Sequence, residues 1–271
     1  MSEQMIVQLI SLAAAGLVAG FAGGLFGIGG GAILVPTYLT LFPQMGVSQE
    51  VVMHSAVGTC LALVVPAAIM STKTQAKLGN LDARMVRTWM PWILLGTLAG
   101  VLTIQLLHTH DLKVIFTLYL FTSAIYVAVR RASEESGEGE PPSLAKAGGG
   151  FVIGMLSVWL GLGGGTFTVP FLRAFHYPMK KSIAISSATG LVIGLGGAIG
   201  ATIHGWHAPG LADYSLGYIN LIAFIVIAPI VMAIAPLGSK VASKAPERVL
   251  KWMYVGLLGA ISCYMAARTF F

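Results

Sequence analysis

Apolar residues in this chain come in long runs rather than in the stripes of an amphipathic surface helix. Six runs, at roughly 51–71, 85–107, 112–130, 182–204, 215–237 and 248–270, each hold about the 20 residues a helix needs to cross a bilayer core. Two further apolar regions, 5–42 and 147–176, are interrupted. The first interruption reads Gly27-Ile28-Gly29-Gly30-Gly31, followed by Val35-Pro36. The second reads Gly161-Leu162-Gly163-Gly164-Gly165, followed by Val169-Pro170. Glycine disfavours helix and proline lacks a backbone donor, so both predict unwound chain at membrane depth, with Pro36 and Pro170 as hinges. Unwound backbone at that depth is tolerated only where it is buried in protein or lines a cavity. The pieces after each break are about 12 residues long, too short to span untilted.

The interruptions belong to a longer repeat. Gly79, Pro91, Gly100, Lys113 and Arg130 recur 138 positions later as Gly217, Pro229, Gly238, Lys251 and Arg268. The glycine runs align at a shift of 134, and Thr59 with Thr189 at 130. Small changes of shift are loop-length differences within a duplication. The expected organisation is a first membrane repeat (1–131), an acidic cytoplasmic linker (132–146) and a second membrane repeat (147–271). Glu134, Glu135, Glu138, Glu140 and Pro141-Pro142 mark the linker as solvated and flexible.

Charge supplies the orientation. Basic residues gather in loops 72–87 (Lys73, Lys77, Arg84, Arg87), 130–147 (Arg130, Arg131, Lys146), 173–182 (Arg173, Lys180, Lys181) and 238–251 (Lys240, Lys244, Arg248, Lys251). Loops 43–50 and 204–214 hold none. The positive-inside rule makes the four basic loops cytoplasmic. Loops 130–147 and 173–182 then share one side, so 147–176 must enter and return. By the repeat, 5–42 does the same from outside, and the halves are inverted. Inverted repeats with discontinuous helices meeting near the midplane are a recurrent transporter plan. The alternative, eight simple spans in two parallel halves, puts loop 173–182 outside against its three positive charges.

Composition agrees. The chain is 56% hydrophobic and 10% charged, with mean hydropathy +0.83, far from the roughly 25% charge of a soluble domain. The fold class expected is an all-α integral membrane protein. The net charge of +6 sits in short loops, so it reads as membrane orientation and not as nucleic-acid binding. Cys60 and Cys263 lie in apolar runs and imply no disulfide framework. Met1-Ser2-Glu3-Gln4 gives no basic n-region, so Met5 to Phe21 reads as mature fold rather than a cleaved signal.

The candidate chemistry is that of a binding site. A glycine turn entering a helix presents free N–H groups, and the helix dipole adds positive potential. Gly27, Gly29, Gly30, Gly31, Gly161, Gly163, Gly164 and Gly165 can hold an anion this way, with no Lys or Arg deep in any span. Ser55, Thr59, Ser186, Ser187 and Thr189 offer hydroxyls, although back-bonding to the helix competes for them. Cys60 is a further contact candidate, with packing as its ordinary role. His54 and His204 are the ionisable groups inside predicted spans and are candidates for a proton relay or gate. Gly16, Gly20 and Gly24 form a small-residue ladder expected to pack helices, as do Gly190, Gly194, Gly196, Gly197 and Gly200. No P-loop, metal motif or catalytic triad pattern appears, so neither an enzyme nor a cofactor is expected.

At these residues the chain resembles the sulfite exporter TauE/SafE family of membrane permeases. The resemblance is carried by AGFAGGLFGIGGGAILVPTYL at 19–39 and GMLSVWLGLGGGTFTVPFL at 154–172. Thr59 in AVGTC, Thr189 in SSATG, and the LGNLD/LGYIN pair opening the third span of each half add to it. Cys60 stands where the family more often shows Ser. The resemblance implies a multi-pass protein of the cell inner membrane that exports a small sulfur oxyanion, sulfite or an organosulfonate such as sulfoacetate. It implies alternating access around a substrate held at the two breaks. An anion channel for the same substrates and a non-transporting scaffold are the other readings. The expected partners are the small anion, the lipid bilayer and a homo-oligomeric copy of the chain.

Overall fold

The structure, a computed structural model, describes residues 3–129 and 139–270. The first half folds as α1 (Glu3–Phe26), α2 (Gly31–Leu41), α3 (Val52–Lys77), α4 (Ala83–Ile104) and α5 (Thr109–Val129). The second follows the same order with α6 (Ser143–Leu160), α7 (Gly165–Ala174), α8 (Met179–Gly205), α9 (Leu221–Lys244) and α10 (Glu247–Phe270). Two-residue strands, β1 (Ser215–Leu216) and β2 (Ile219–Asn220), pair antiparallel ahead of α9. Among the described residues, eight helices are long and apolar enough to cross a membrane. The exceptions are the post-break pieces α2 and α7, of 11 and 10 residues. Arg130, Arg131, Glu134, Glu135 and Glu138 lie outside the described residues. Glu140 is described and forms an ion pair with the buried Lys146 at the foot of α6.

One expected boundary moves. The apolar run at 215–237 predicts a span from Ser215, but α9 begins at Leu221. Gly217 turns with φ 57°, the two strands pair, and Asn220 caps the helix by accepting from the Ala223 N–H. Asp82, the repeat mate of Asn220, caps α4 by accepting from the N–H groups of Arg84 and Met85. Its carboxyl is held below the ordinary carboxylate range by the Met85 N–H and then by the Tyr177 hydroxyl. Capping thus follows the repeat even where hydropathy misses it.

Glycines set the packing. Gly16, Gly20 and Gly24 face Ile227, Val231 and Ala235, so α1 and α9 run parallel in close contact. A Cβ on Gly24 would lie 2.7 Å from the Ala235 carbonyl carbon. On α4, a Cβ on Gly96 would lie 2.7 Å from the Phe151 carbonyl carbon of α6. The ladder read from sequence is therefore a helix–helix seam. Exchanging the halves reproduces the pattern, because α6 lies on α4 as α1 lies on α9.

The central pair is α3 with α8. Their most apolar windows are 83% and 67% buried, against 33% or less for α4, α5, α9 and α10, so these two form the interior and the others face lipid. Gly58 meets Ala201, Gly194 meets Leu61, Gly190 meets Ala68, and Ser71 hydrogen-bonds Ser187, so α3 and α8 run antiparallel. The other repeat-matched pair in contact, α5 with α10, is antiparallel too. Lys251 Nζ donates to Ala128 O at one end, and Lys113 and Arg268 share a cavity at the other.

Loops sort by charge. On the basic side, Tyr177 donates to Asp82 Oδ2 at 2.7 Å, and the Trp89 indole donates to Lys146 O. On the charge-poor side, Ser48 N–H donates to Gly210 O and Thr109 Oγ1 to Glu50 O. Gln8 of α1 reaches Gln44 just past α2, so the α1–α2 segment begins and ends on the charge-poor side. The α6–α7 segment begins and ends on the basic side, where Gly139 adjoins Phe175.

Gly24→Ala and Gly96→Ala should each destabilise the detergent-purified protein by about 1–3 kcal/mol through overpacking, seen as a lower melting temperature. Gly256→Ala and Gly259→Ala, where an added methyl meets nothing within 4 Å, should leave melting unchanged.

Candidate substrate site at the paired helix breaks

Helix α1 ends at Phe26 and α6 at Leu160, and the chain unwinds over four residues before α2 and α7 start. Glycine is needed at the turns. Gly27, Gly29 and Gly30 have φ of 70°, 66° and 79°, and Gly161 and Gly164 have 66° and 80°. Side chains rarely take such values. Gly30 and Gly164 are the left-handed N-caps of the half-helices. Gly31 and Gly165 open those helices rather than lying in the turns, and Pro36 and Pro170 sit buried within the same helices.

The two breaks lock together. Gly163 N–H donates to Ile28 O at 3.3 Å. A Cβ on Gly29 would sit 3.3 Å from Gly163 Cα, and one on Gly31 would strike the Gly161 carbonyl. On Gly165 a Cβ would fall 2.5 Å from the Gly27 carbonyl carbon. Six of the eight predicted glycines therefore meet at one place, while Gly30 faces Ala19 of α1 and Gly164 faces Ile193 and Thr189 of α8. The meeting place lies beside Val64 and Gly190, near the middle of α3 and α8.

That place is rich in donors. The N–H groups of Gly31, Ala32, Gly165 and Thr166 precede the first helical hydrogen bonds, which Ile33 and Phe167 make to Gly30 O and Gly164 O, and both half-helices point their positive ends into it. Around the second break, the hydroxyls of Ser157 and Thr168 are buried with no hydrogen-bond partner, and that of Thr166 is buried beside the Tyr119 hydroxyl. Burying such a group unpaired costs about 1–3 kcal/mol, so the cluster calls for an acceptor. Thr168 Oγ1 lies 3.8 Å from where a Gly164 Cβ would stand and Thr189 Oγ1 3.4 Å, but the Thr189 hydroxyl already donates to Ser186 O at 3.0 Å.

Two cavities flank the breaks along the α3–α8 crossing. The one toward the basic side touches Gly27, Gly29, Gly163 and Gly190, with Ser71 and Ser187 beyond. The one toward the charge-poor side is lined by His54, Gly58, His204 and Tyr218. Their volumes are about 10 and 20 Å³, close to the ~10–15 Å³ that one water needs. In this conformation the α3–α8 crossing is closed to anything much larger than water. Neither cavity is lined by Asp, Glu, Lys or Arg.

The remaining candidates separate. Thr59 faces away from the breaks: its hydroxyl donates to Ser55 O at 2.8 Å and accepts the Asn220 N–H at 2.9 Å, anchoring the entry to α9. Ser55 Oγ donates to Tyr218 O, also in that corner. Cys60 is fully buried beside Gly161. Ser187 Oγ donates to Ile183 O and meets Ser71 Oγ at 3.2 Å. His54 and His204, apart in sequence, line one cavity, where His54 Nδ1 is buried without a partner. Burial also raises the pKa of Tyr218 beside them, so its hydroxyl stays protonated.

Sequence reasoning missed a hydroxyl chain below the breaks. Ser187, Ser71 and Ser239 link in series to Gly24 O at the end of α1. Ser186 Oγ ties to Gly27 O at 2.8 Å and fixes the first turn. Ser71 and Ser239 are not repeat mates and follow no motif, so only the fold unites them. Thr166 and Thr168 stand in the family-like stretch at 154–172, but their counterparts in the first half are Ala32 and Leu34. The repeat comparison therefore passed over them. Among the described residues no cluster of His, Cys, Asp or Glu could hold a metal.

Replacing Thr59 with Val should lower stability by about 1–3 kcal/mol, since the buried Asn220 N–H loses its acceptor. Urea or thermal unfolding of the purified variant measures this; Thr59→Ser, which keeps the hydroxyl, should restore most of it.

Known proteins resemble this chain over most of its length. A "Probable membrane transporter protein" of Haemophilus influenzae is 35% identical over 237 residues, covering 87% of this chain and 89% of the relative. A probable membrane transporter of Methanocaldococcus jannaschii is 30% identical over 277 residues, covering 97% of each. One from Bacillus subtilis is 24% identical over 218 residues, covering 73% of this chain and 80% of the relative. No solved structure matches the chain. The family model described as sulfite exporter TauE/SafE matches residues 12–265, glycine breaks included, and this multi-pass membrane transporter belongs to that family.

Proposed function

We propose that the protein exports a small sulfur-containing oxyanion, sulfite or an organosulfonate such as sulfoacetate, by alternating access. The observation that carries this reading is the meeting of two half-helix N-termini with buried, unpartnered hydroxyls and no basic side chain. Oxyanions present many acceptors and no obligatory donor, which is the complement of such a site. Backbone N–H groups of both breaks would hold the anion, with Thr189, Thr168 and Thr166 beside it. Thr59 and Ser55 support the scaffold in this reading rather than touching substrate. Pro36 and Pro170 each remove one helix hydrogen bond and make a local hinge.

The halves are inverted repeats in this reading. The support is the antiparallel crossing of α3 with α8 and of α5 with α10. The return of each broken segment to the side it entered from adds to it. Rocking about the α3–α8 crossing would widen one flanking cavity while closing the other. His54 and His204 line the charge-poor cavity and would gate it or accept a proton there. With the inside negative, efflux of an anion is downhill by about 2.3 kcal/mol per charge per 100 mV, so export needs no coupling ion.

Two measurements test the proposal. In proteoliposomes under an imposed potential, sulfite efflux should accelerate when the inside is negative, saturate, and show counterflow. Gly31→Ala and Gly165→Ala should abolish it. Flux indifferent to the sign of the potential removes the uniport mechanism, and flux without counterflow makes the protein a channel. For topology, a background lacking Cys60 and Cys263 takes single cysteines at Gln49 and Lys181. An impermeant maleimide should label position 49 in intact cells and position 181 only after permeabilisation; labelling of both from outside overturns the inversion.

A further inference from the structure

Two of the chain's basic residues stand apart from the rest. Lys113, in the first turns of α5, and Arg268, in the last turn of α10, sit on the charge-poor side, where the positive-inside rule disfavours cations. They are repeat-related to Lys251 and Arg130, and the antiparallel α5–α10 crossing brings them to one place. Both line a single open cavity of about 420 Å³ with Thr40, Gln44, Gln49 and Thr269. Leu39, Pro43 and Met265 form its apolar wall.

The cavity has donors and lacks acceptors of the right charge. Among the described residues neither Lys113 nor Arg268 has a carboxylate partner. The one aromatic contact is Arg268 over the Tyr264 ring at 5.8 Å. Thr269 Oγ1 is buried and unpartnered. Two cations snorkelling to the interface independently would point apart, since like charges repel. Sharing a cavity with no carboxylate in its lining favours an anion between them. The repeat-related Lys251 differs: its ammonium is occupied by Ala128 O and lies 5.2 Å from the Trp252 ring.

We propose that this cavity is a second anion site, separate from the helix breaks, which binds a sulfate- or phosphate-type oxyanion between Lys113 and Arg268. The side-chain amides of Gln44 and Gln49 and the hydroxyl of Thr269 supply the remaining donors, the Thr40 hydroxyl being engaged by Pro36 O and Tyr264. Two sources share that chemistry, a free tetrahedral oxyanion arriving from the aqueous side and the phosphate of an anionic lipid. The apolar wall takes acyl chains in the second case. The proposal stands independently of transport at the breaks.

The test uses the full-length protein with sulfate as probe. Calorimetric titration of delipidated protein should show sulfate binding that weakens as ionic strength rises. Lys113→Gln and Arg268→Gln should each weaken it roughly tenfold, as expected for loss of one charge-assisted contact. Arg268 is exposed, so its variant tests the site without disturbing the fold. In the other arm, native mass spectrometry of protein purified in mild detergent should show a retained anionic phospholipid that the double variant loses. Sulfate binding alone identifies a free oxyanion site, and lipid retention alone a headgroup site; either supports the proposal. Wild-type and double variant matching in both sulfate affinity and lipid retention overturns it.

Discussion

In a bilayer every backbone polar group has to be satisfied from within the protein, and the rest of this structure depends on how two unwound segments meet that demand. Each break frees donors and carbonyls at a depth where water does not supply partners. The breaks answer by packing on each other. Gly163 donates to Ile28 O, and Gly31 and Gly165 press against the carbonyls of Gly161 and Gly27. Neither break could be buried this way alone. A side chain at Gly31 or Gly165 would separate the pair, which is why small residues concentrate there rather than being spread evenly along α1 and α6.

The same contact makes the donor-rich setting of the breaks. Interlocking satisfies carbonyls more fully than N–H groups, because each half-helix begins there and presents its unpaired first turn. The surplus is positive potential without a basic side chain. Lys or Arg at this depth would pay a large desolvation cost, whereas the dipoles of α2 and α7 are fixed by the fold. Buried hydroxyls of Ser157, Thr166 and Thr168 extend the surplus on one side only. The surroundings of the breaks are thus less symmetric than the repeat that builds them.

Around this centre, parallel glycine seams join α1 to α9 and α6 to α4, so each half holds the other's broken helix. A movement of one half relative to the other must therefore carry a broken segment from its partner. The antiparallel α3–α8 crossing carries its polar ties near its two ends. Ser71 to Ser187 is one, and the Thr59 and Ser55 bonds around Tyr218 and Asn220 are others. It also has small cavities on both sides, so it is the natural place for the structure to open.

Hydropathy runs, the two glycine-proline breaks and loop charge were enough to determine the helices, their approximate limits and the transporter character. They also marked the glycines that meet at the centre. Those features are local: a span is a length of apolar chain, and a break is a residue that cannot hold a helix. Only the tertiary structure decided what each polar side chain does. Thr59 and Thr189 are alike in sequence, yet one caps a corner against Asn220 and the other faces the second break. Ser71 and Ser239 carry no motif, and the gathering of His54 with His204, or Lys113 with Arg268, depends on antiparallel crossings between halves. Such pairings are fixed by helix direction and rotation about the axis, which hydropathy and spacing do not encode.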